Sequence, residues 1–224
     1  MSTIDQPSAL MLLPGQRLDR HEFHARYLAM PPGTKAELVG GIVVMPSPVG
    51  RYHGINGGLV VAWLNFYHFR TPGTQVMDNA TVVLDEIGEV QPDALMRILP
   101  SKGGQTRDLG KFIAGAPEFI VEIVDSSRDL DLGPKLAEYE RAGALEYVVF
   151  ALDPDEVFWH VRQGDRLVRV EPGVGGLFRS KFFPGLWLDP SALFDDNGLA
   201  LIEALDRGLA TAEHADFVAQ LATR

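Results

Sequence analysis

The chain has 224 residues with 30 acidic and 20 basic side chains, a formal charge of −10 that argues against nonspecific coating of nucleic acid. Hydrophobic residues make up 46% and charged residues 22%, which excludes wholesale disorder, and 23 glycines with 15 prolines supply many turns without low complexity. The absence of cysteine excludes disulfides, thiolate zinc sites, iron–sulfur clusters and a cysteine nucleophile. Met1 to Leu13 lacks a basic segment and carries Asp5, and no run approaches a membrane span, so a soluble, cytoplasmic protein is expected.

A short helix is predicted over Asp19–Leu28, with Asp19 as N-cap, Glu22 three residues on, and Phe23 and Tyr27 sharing a face. Its His21-Glu22-Phe23-His24 stretch has histidines three apart, not the four of a zinc-binding HExxH, and reads as a solvated face. Ala36–Val39 and Ile42–Met45 flank Gly40-Gly41 and read as a hairpin. A longer helix spans Tyr52–Phe69. Strands are expected at Thr81–Leu84, Val90–Ile98 and Phe119–Val124, with a Gly-rich loop from Pro100 to Gly115. A helix begins near Pro134, strands follow at Glu146–Leu152, Val157–Arg162 and Leu167–Glu171, and the tail from Leu199 to Leu221 is helical with Gly208 as its weak point. This pattern predicts one α+β domain with a mixed sheet.

Two carboxylates stand out. Glu122 interrupts Phe119–Val124, which otherwise reads as a strand buried on both faces; there it must be paired, hydrogen-bonded or bound to a metal, unless the strand is half-covered and Glu122 points to solvent. Asp93 follows Pro92 in another strand-like run, just after a proline that suggests an edge or strand start, although most Pro-Asp pairs are turns. Two carboxylates with a backbone carbonyl would suit Mg²⁺, and a nearby lysine could orient an attacking water. Lys135 is such a lysine, although Asp131 four residues earlier offers it a plain helical ion pair. Tyr139, one turn further, is expected to pack against the core.

In order and spacing, Arg17-Leu18-Asp19…Glu22-Phe23, Glu37-Leu38-Val39-Gly40-Gly41, His53, Pro92-Asp93, Val121–Val124, Asp131…Lys135…Tyr139 and Phe182–Leu188 form a recognisable set. On these pieces the chain resembles the Uma-two family of restriction endonucleases, within the PD-(D/E)XK nuclease superfamily, over about residues 17–195. The resemblance implies a restriction-endonuclease-like core: a mixed sheet flanked by helices, after a tail (1–16) and before a C-terminal helix (196–224). It implies Mg²⁺, or Mn²⁺ in its place, held by Asp93, Glu122 and the Ile123 carbonyl. The superfamily lysine stands two residues after the glutamate, but that position is Val124 here, and Lys135 on the next helix takes its place. Glu37 and His53 would stand near the same site, though solvent exposure explains Glu37 equally well and His53 suits a helix N-terminus as a neutral imidazole. Relatives have a Ser-Pro-Ser-Thr-like stretch where this chain has Asp125-Ser126-Ser127-Arg128, with Asp125 read as a loop cap.

The implied activity is metal-dependent hydrolysis of nucleic acid, DNA foremost. A noncatalytic binding module on the same scaffold and a hydrolase of small phosphoesters are the rival readings. Arg97, Lys102, Arg107 and Lys111 make the Gly-rich loop locally basic, as a phosphate-tracking loop or any exposed loop would be. Leu201, Leu205 and Leu209 form an apolar stripe that the domain itself or a homodimer partner must cover.

Overall fold

The computed structural model describes residues 11–125 and 128–224; the first ten residues of the expected tail, and Ser126-Ser127, lie outside them. Helix α1 (Arg20–Leu28) is capped by Asp19, which accepts from Glu22 N at 2.9 Å, and Phe23 stacks on Tyr27 with centroids 5.7 Å apart. Strands β1 (Glu37–Val39) and β2 (Ile42–Val44) pair through Gly40 and Gly41, whose φ angles of 57° and 76° only glycine adopts freely in a two-residue turn. Then come α2 (Arg51–Arg70), β3 (Thr74–Asp78), β4 (Val82–Val83), β5 (Glu89–Val90), β6 (Ala94–Ile98), β7 (Arg107–Leu109), β8 (Phe112–Ala114) and β9 (Phe119–Val124). Helix α3 (Arg128–Leu130) continues through a π-helical turn, Asp131–Lys135, into α4 (Leu136–Ala142). The chain ends with β10 (Glu146–Leu152), β11 (Asp155–Gln163), β12 (Arg166–Val170), β13 (Phe178–Arg179), β14 (Trp187–Leu188), α5 (Pro190–Phe194), α6 (Gly198–Leu209) and α7 (Ala212–Thr223).

The strands form two mixed six-stranded sheets and a small β13–β14 pair, where a single sheet is expected from the sequence. The larger sheet has the order β12-β11-β10-β9-β6-β3, and the second β2-β1-β5-β4-β8-β7. Within the larger sheet β9 and β10 run parallel, joined by the α3–α4 crossover, while β6 lies antiparallel on the other side of β9. The expected strand Val90–Ile98 is cut in two. Gln91-Pro92-Asp93 separates β5, in the second sheet, from β6, in the larger one, because a proline cannot donate to a ladder.

Strand β9 is buried along its whole length. Phe119, Val121 and Ile123 face a core built with Trp63 and Tyr67 of α2, Trp159 of β11 and the C-terminal helices. Ile120 and Val124 face a second core with Val82 and Val90 of the second sheet and Tyr139 of α4. Strand alternation therefore sends Glu122 to the second face, between the sheets. Each fully buried side chain of this size contributes about 1.5–3 kcal/mol of transfer free energy, so the packing here fixes where Glu122 stands.

The structure differs from the sequence expectations in several places. The Gly-rich loop carries the β7–β8 hairpin, and Arg97 is no phosphate contact: it is 4% exposed, with Gln75 at 2.7 Å and Asp108 at 2.7 Å. His21–His24 is not a solvated face, since Phe23 is buried and His24 Nδ1 lies 2.8 Å from Glu89 Oε1. Pro134 sits inside the π-helical turn and not at a helix start; the wider turn accommodates its missing N–H. The tail is two helices, broken where Thr211 caps α7. Leu201 and Leu205 are buried in the chain's own core with Leu209 packed beside them, so the domain covers the stripe without a partner.

Gly208 is a contact point and not a weak point. A Cβ there would lie 2.2 Å from the Gly185 carbonyl oxygen and 2.8 Å from Trp187 Cγ. Helix propensity alone favours alanine by about 1 kcal/mol, yet overpacking a backbone contact costs about 1–3 kcal/mol. Gly208→Ala should therefore destabilise the chain in urea unfolding; a neutral or stabilising change would contradict this close approach.

Candidate active site

A cavity of about 230 Å³ opens where the two sheets, the N-terminus of α2 and the π-helical turn meet, and all five side chains singled out from the sequence line it. Asp93 reaches it from the β5–β6 break. The β6–β9 register pairs Ala94 with Val121, so one step further Asp93 stands opposite Glu122. There the side chain takes over from the backbone ladder: Asp93 Oδ2 accepts from Ile123 N at 2.7 Å. The same oxygen lies 3.1 Å from His53 Nε2, in the first turn of α2. That hydrogen bond raises the His53 pKa despite partial burial, shifting the ring toward the imidazolium relative to the neutral ring expected from sequence.

Glu122 is 4% exposed, which removes the solvent-facing alternative. Its Oε1 accepts from Tyr139 OH at 3.0 Å and from Lys135 Nζ at 3.1 Å. Lys135 also contacts Glu37 Oε2 at 2.9 Å and Asp131 Oδ1 at 3.5 Å. Burial alone would lower the Lys135 pKa, but the three surrounding carboxylates outweigh it and hold the ammonium above its usual range. Burial pushes the Glu122 carboxyl well up, and Lys135 opposes that only in part because Asp131, Asp93 and Glu37 add negative charge.

Glu37 is buried, contrary to the exposed reading, and its Oε1 accepts from Gln91 N at 2.7 Å. Gly40 N donates to Glu138 Oε2 at 3.1 Å, docking the β1–β2 turn on α4 and fixing Glu37 relative to Lys135. Tyr139 is fully buried against Tyr147 and acts on Glu122 from behind. Asp125 is exposed and lines the cavity, while the capping role expected for it involves Ser126-Ser127, outside the described residues. The burial of Asp131, which makes it a third buried partner of Lys135, and Gln91 as the anchor of Glu37, were missed. The i, i+4 spacing of Asp131 and Lys135 was the available signal, but nothing in it revealed burial.

The donors fit a hard divalent cation. Asp93 Oδ1 and Glu122 Oε2 carry no hydrogen bond among the described residues, and a strand residue's N–H and C=O share a side, so the Ile123 carbonyl is directed to the edge where Asp93 accepts its N–H. Among the described residues no three His, Asp or Glu side chains form a metal cage. Two carboxylates and a carbonyl suit Mg²⁺, which keeps waters and takes substrate phosphate oxygens as further ligands.

The fold is restriction-endonuclease-like, and its cavity brings together an acid at the β5–β6 break, an acid on the neighbouring strand β9 and a lysine on the following helical segment. The model of the Uma2 family, described as "Putative restriction endonuclease", matches residues 21–191, and the chain belongs to that family. Among solved structures, one titled as a "putative nuclease belonging to DUF820" from Anabaena variabilis ATCC 29413 is similar, with a TM-score of 0.56 at 18% identity over 77% of this chain and 97% of that one. At that identity the likeness concerns the fold. No curated protein matches the chain. No helix among the described residues is long and apolar enough to cross a membrane.

Proposed function

We propose that the chain is a Mg²⁺-dependent phosphodiesterase that hydrolyses nucleic acid, with DNA the substrate to test first. The observation that supports this most is the convergence of Asp93, Glu122 and Lys135 on one cavity, with Asp93 fastened to the Ile123 N–H. Asp93, Glu122 and the Ile123 carbonyl would hold Mg²⁺, or Mn²⁺ in its place, which when bound activates water and neutralises charge at the phosphate.

The chain's own residues prepare that chemistry. Ile123 N–H and His53 orient Asp93, and Tyr139 with Lys135 orients Glu122, so neither carboxylate must be ordered on binding. Lys135 keeps its proton because three acids surround it, and the N–H facing Asp131, at 3.5 Å the longest of the three contacts, can direct a water. Glu37, held by Gln91 N, sets the position of Lys135. His53, fastened to Asp93 through Nε2, stands at the cavity wall, where its ring could exchange a proton with a departing oxygen. Cleavage of a duplex by a homodimer would bring two such cavities to the two strands; a monomeric mass in light scattering would contradict that arrangement.

Cleavage of single- and double-stranded oligonucleotides in Mg²⁺ or Mn²⁺ tests the proposal. Asp93→Asn and Glu122→Gln should each lower the rate by at least about a thousandfold, with circular dichroism and urea unfolding near wild type. Unchanged cleavage would remove the assignment. A folded wild type without cleavage would favour a noncatalytic binding module.

A further inference from the structure

We propose that Lys35 receives a phosphate of the nucleic-acid backbone at the mouth of the cavity and that Asn79 is its positioning residue. This inference rests on the nuclease reading of the same site. Five carboxylates line the cavity, so an approaching phosphodiester meets repulsion unless a cation is available. The other cations are committed: Lys135 lies among three carboxylates, and His53 is bonded to Asp93. Lys35 differs. It is exposed, it lines the cavity, and among the described residues it has no carboxylate partner.

What holds Lys35 is neutral: its Nζ donates to Asn79 Oδ1 at 3.2 Å. An amide can orient an ammonium without neutralising it, which leaves the charge for an external anion. Asn79 is itself tied to the site, because its backbone N donates to the Asp93 carbonyl at 3.2 Å. It adopts φ 49°, a left-handed conformation that asparagine tolerates better than most residues and that clusters at ligand-binding positions. Lys35 thus sits beside Asp93 through two linked hydrogen bonds, as a contact that reads backbone charge and not base identity.

Binding of a short phosphorothioate-linked oligonucleotide in Mn²⁺, followed by anisotropy across a salt series, tests this. Lys35→Ala should weaken binding about tenfold, equally for unrelated sequences, and reduce the slope of log K against log salt by about 0.7–0.9. Lys35→Arg should restore most of the affinity, and Mn²⁺ binding without oligonucleotide should not change in either variant. Asn79→Gly, which keeps the backbone conformation but loses the amide, should raise KM while leaving kcat near wild type. Wild-type affinity and salt slope in Lys35→Ala, beside normal cleavage by the unaltered chain, would overturn the clamp and leave the nuclease reading standing. Neither binding nor cleavage by the unaltered chain would overturn both.

Discussion

Replacing Lys135 with methionine should destabilise the chain by about 3–5 kcal/mol and abolish the proposed cleavage. The ammonium is 5% exposed and contacts Glu37, Glu122 and Asp131, each itself nearly buried. Methionine fills much of the same volume, so the loss reports charge and not a cavity. Without the lysine, three carboxylates remain in one buried cluster with no cation among them. For a domain of this size the melting temperature should fall by roughly 10 °C. Mn²⁺ should recover more stability in Lys135→Met than in the unaltered chain, because the freed carboxylates can then be neutralised by the ion. Differential scanning calorimetry with and without Mn²⁺ reads both effects. A variant within about 1 kcal/mol of wild type would mean that the lysine does not hold the cluster together.

The second large effect concerns Glu146, far from the cavity in its chemistry. It is fully buried at the start of β10, where its Oε1 accepts from Ser180 Oγ at 2.7 Å and from the N–H groups of Lys181 and Phe182 at 2.8 Å. Its Oε2 accepts from Trp159 Nε1 at 2.6 Å. Burial pushes the carboxyl from its usual 4.5 up to about 7, and the four donors keep it from rising further. In the folded chain the proton is therefore retained up to about pH 7, while the unfolded chain releases it above about 4.5. The folded state binds more protons across that window, so this group's contribution to stability is complete below it and is lost as pH rises through it. The expected loss is about 3 kcal/mol.

Glu146→Gln stays neutral at every pH and should remove that slope. Its amide turns a donor toward Trp159 Nε1, so it should also be less stable at low pH by about 1–3 kcal/mol. Adding Trp159→Phe takes away the opposing donor and separates the two effects. Urea unfolding at several pH values checks this, and parallel profiles for the unaltered chain and Glu146→Gln would contradict it.

The site was more legible in the sequence than the sheets that carry it. Glu122 announces itself because a carboxylate within six otherwise apolar residues needs a partner, and burial supplies that partner in Lys135. Pro92 was readable as a strand start, but not as the point where the chain leaves one sheet for the other. The β1–β2 hairpin and the Thr81–Leu84 strand were legible but their grouping into a second sheet was not, and the β7–β8 hairpin escaped because strands of three residues are too short to display a period of two. Strand β3 escaped for another reason: Thr74–Asp78 is an edge strand with mixed polarity and no buried stripe. Arg97 and Gly208 were misread because their roles depend on distant partners, Gln75 and Asp108 for one and Gly185 for the other. Glu37 was ambiguous for the same reason, since only the docking of its hairpin on α4 shows that it faces Lys135.

On this reading Asp93 and Glu122 would form one cation site completed by a substrate phosphate. Calorimetric titration of Mn²⁺ into the unaltered chain and into the Asp93→Asn/Glu122→Gln double variant, each with a short nonhydrolysable oligonucleotide, tests it most directly. Saturable binding in the unaltered chain that disappears in the double variant is the predicted result. Equal binding by both proteins, or binding by neither, would contradict it.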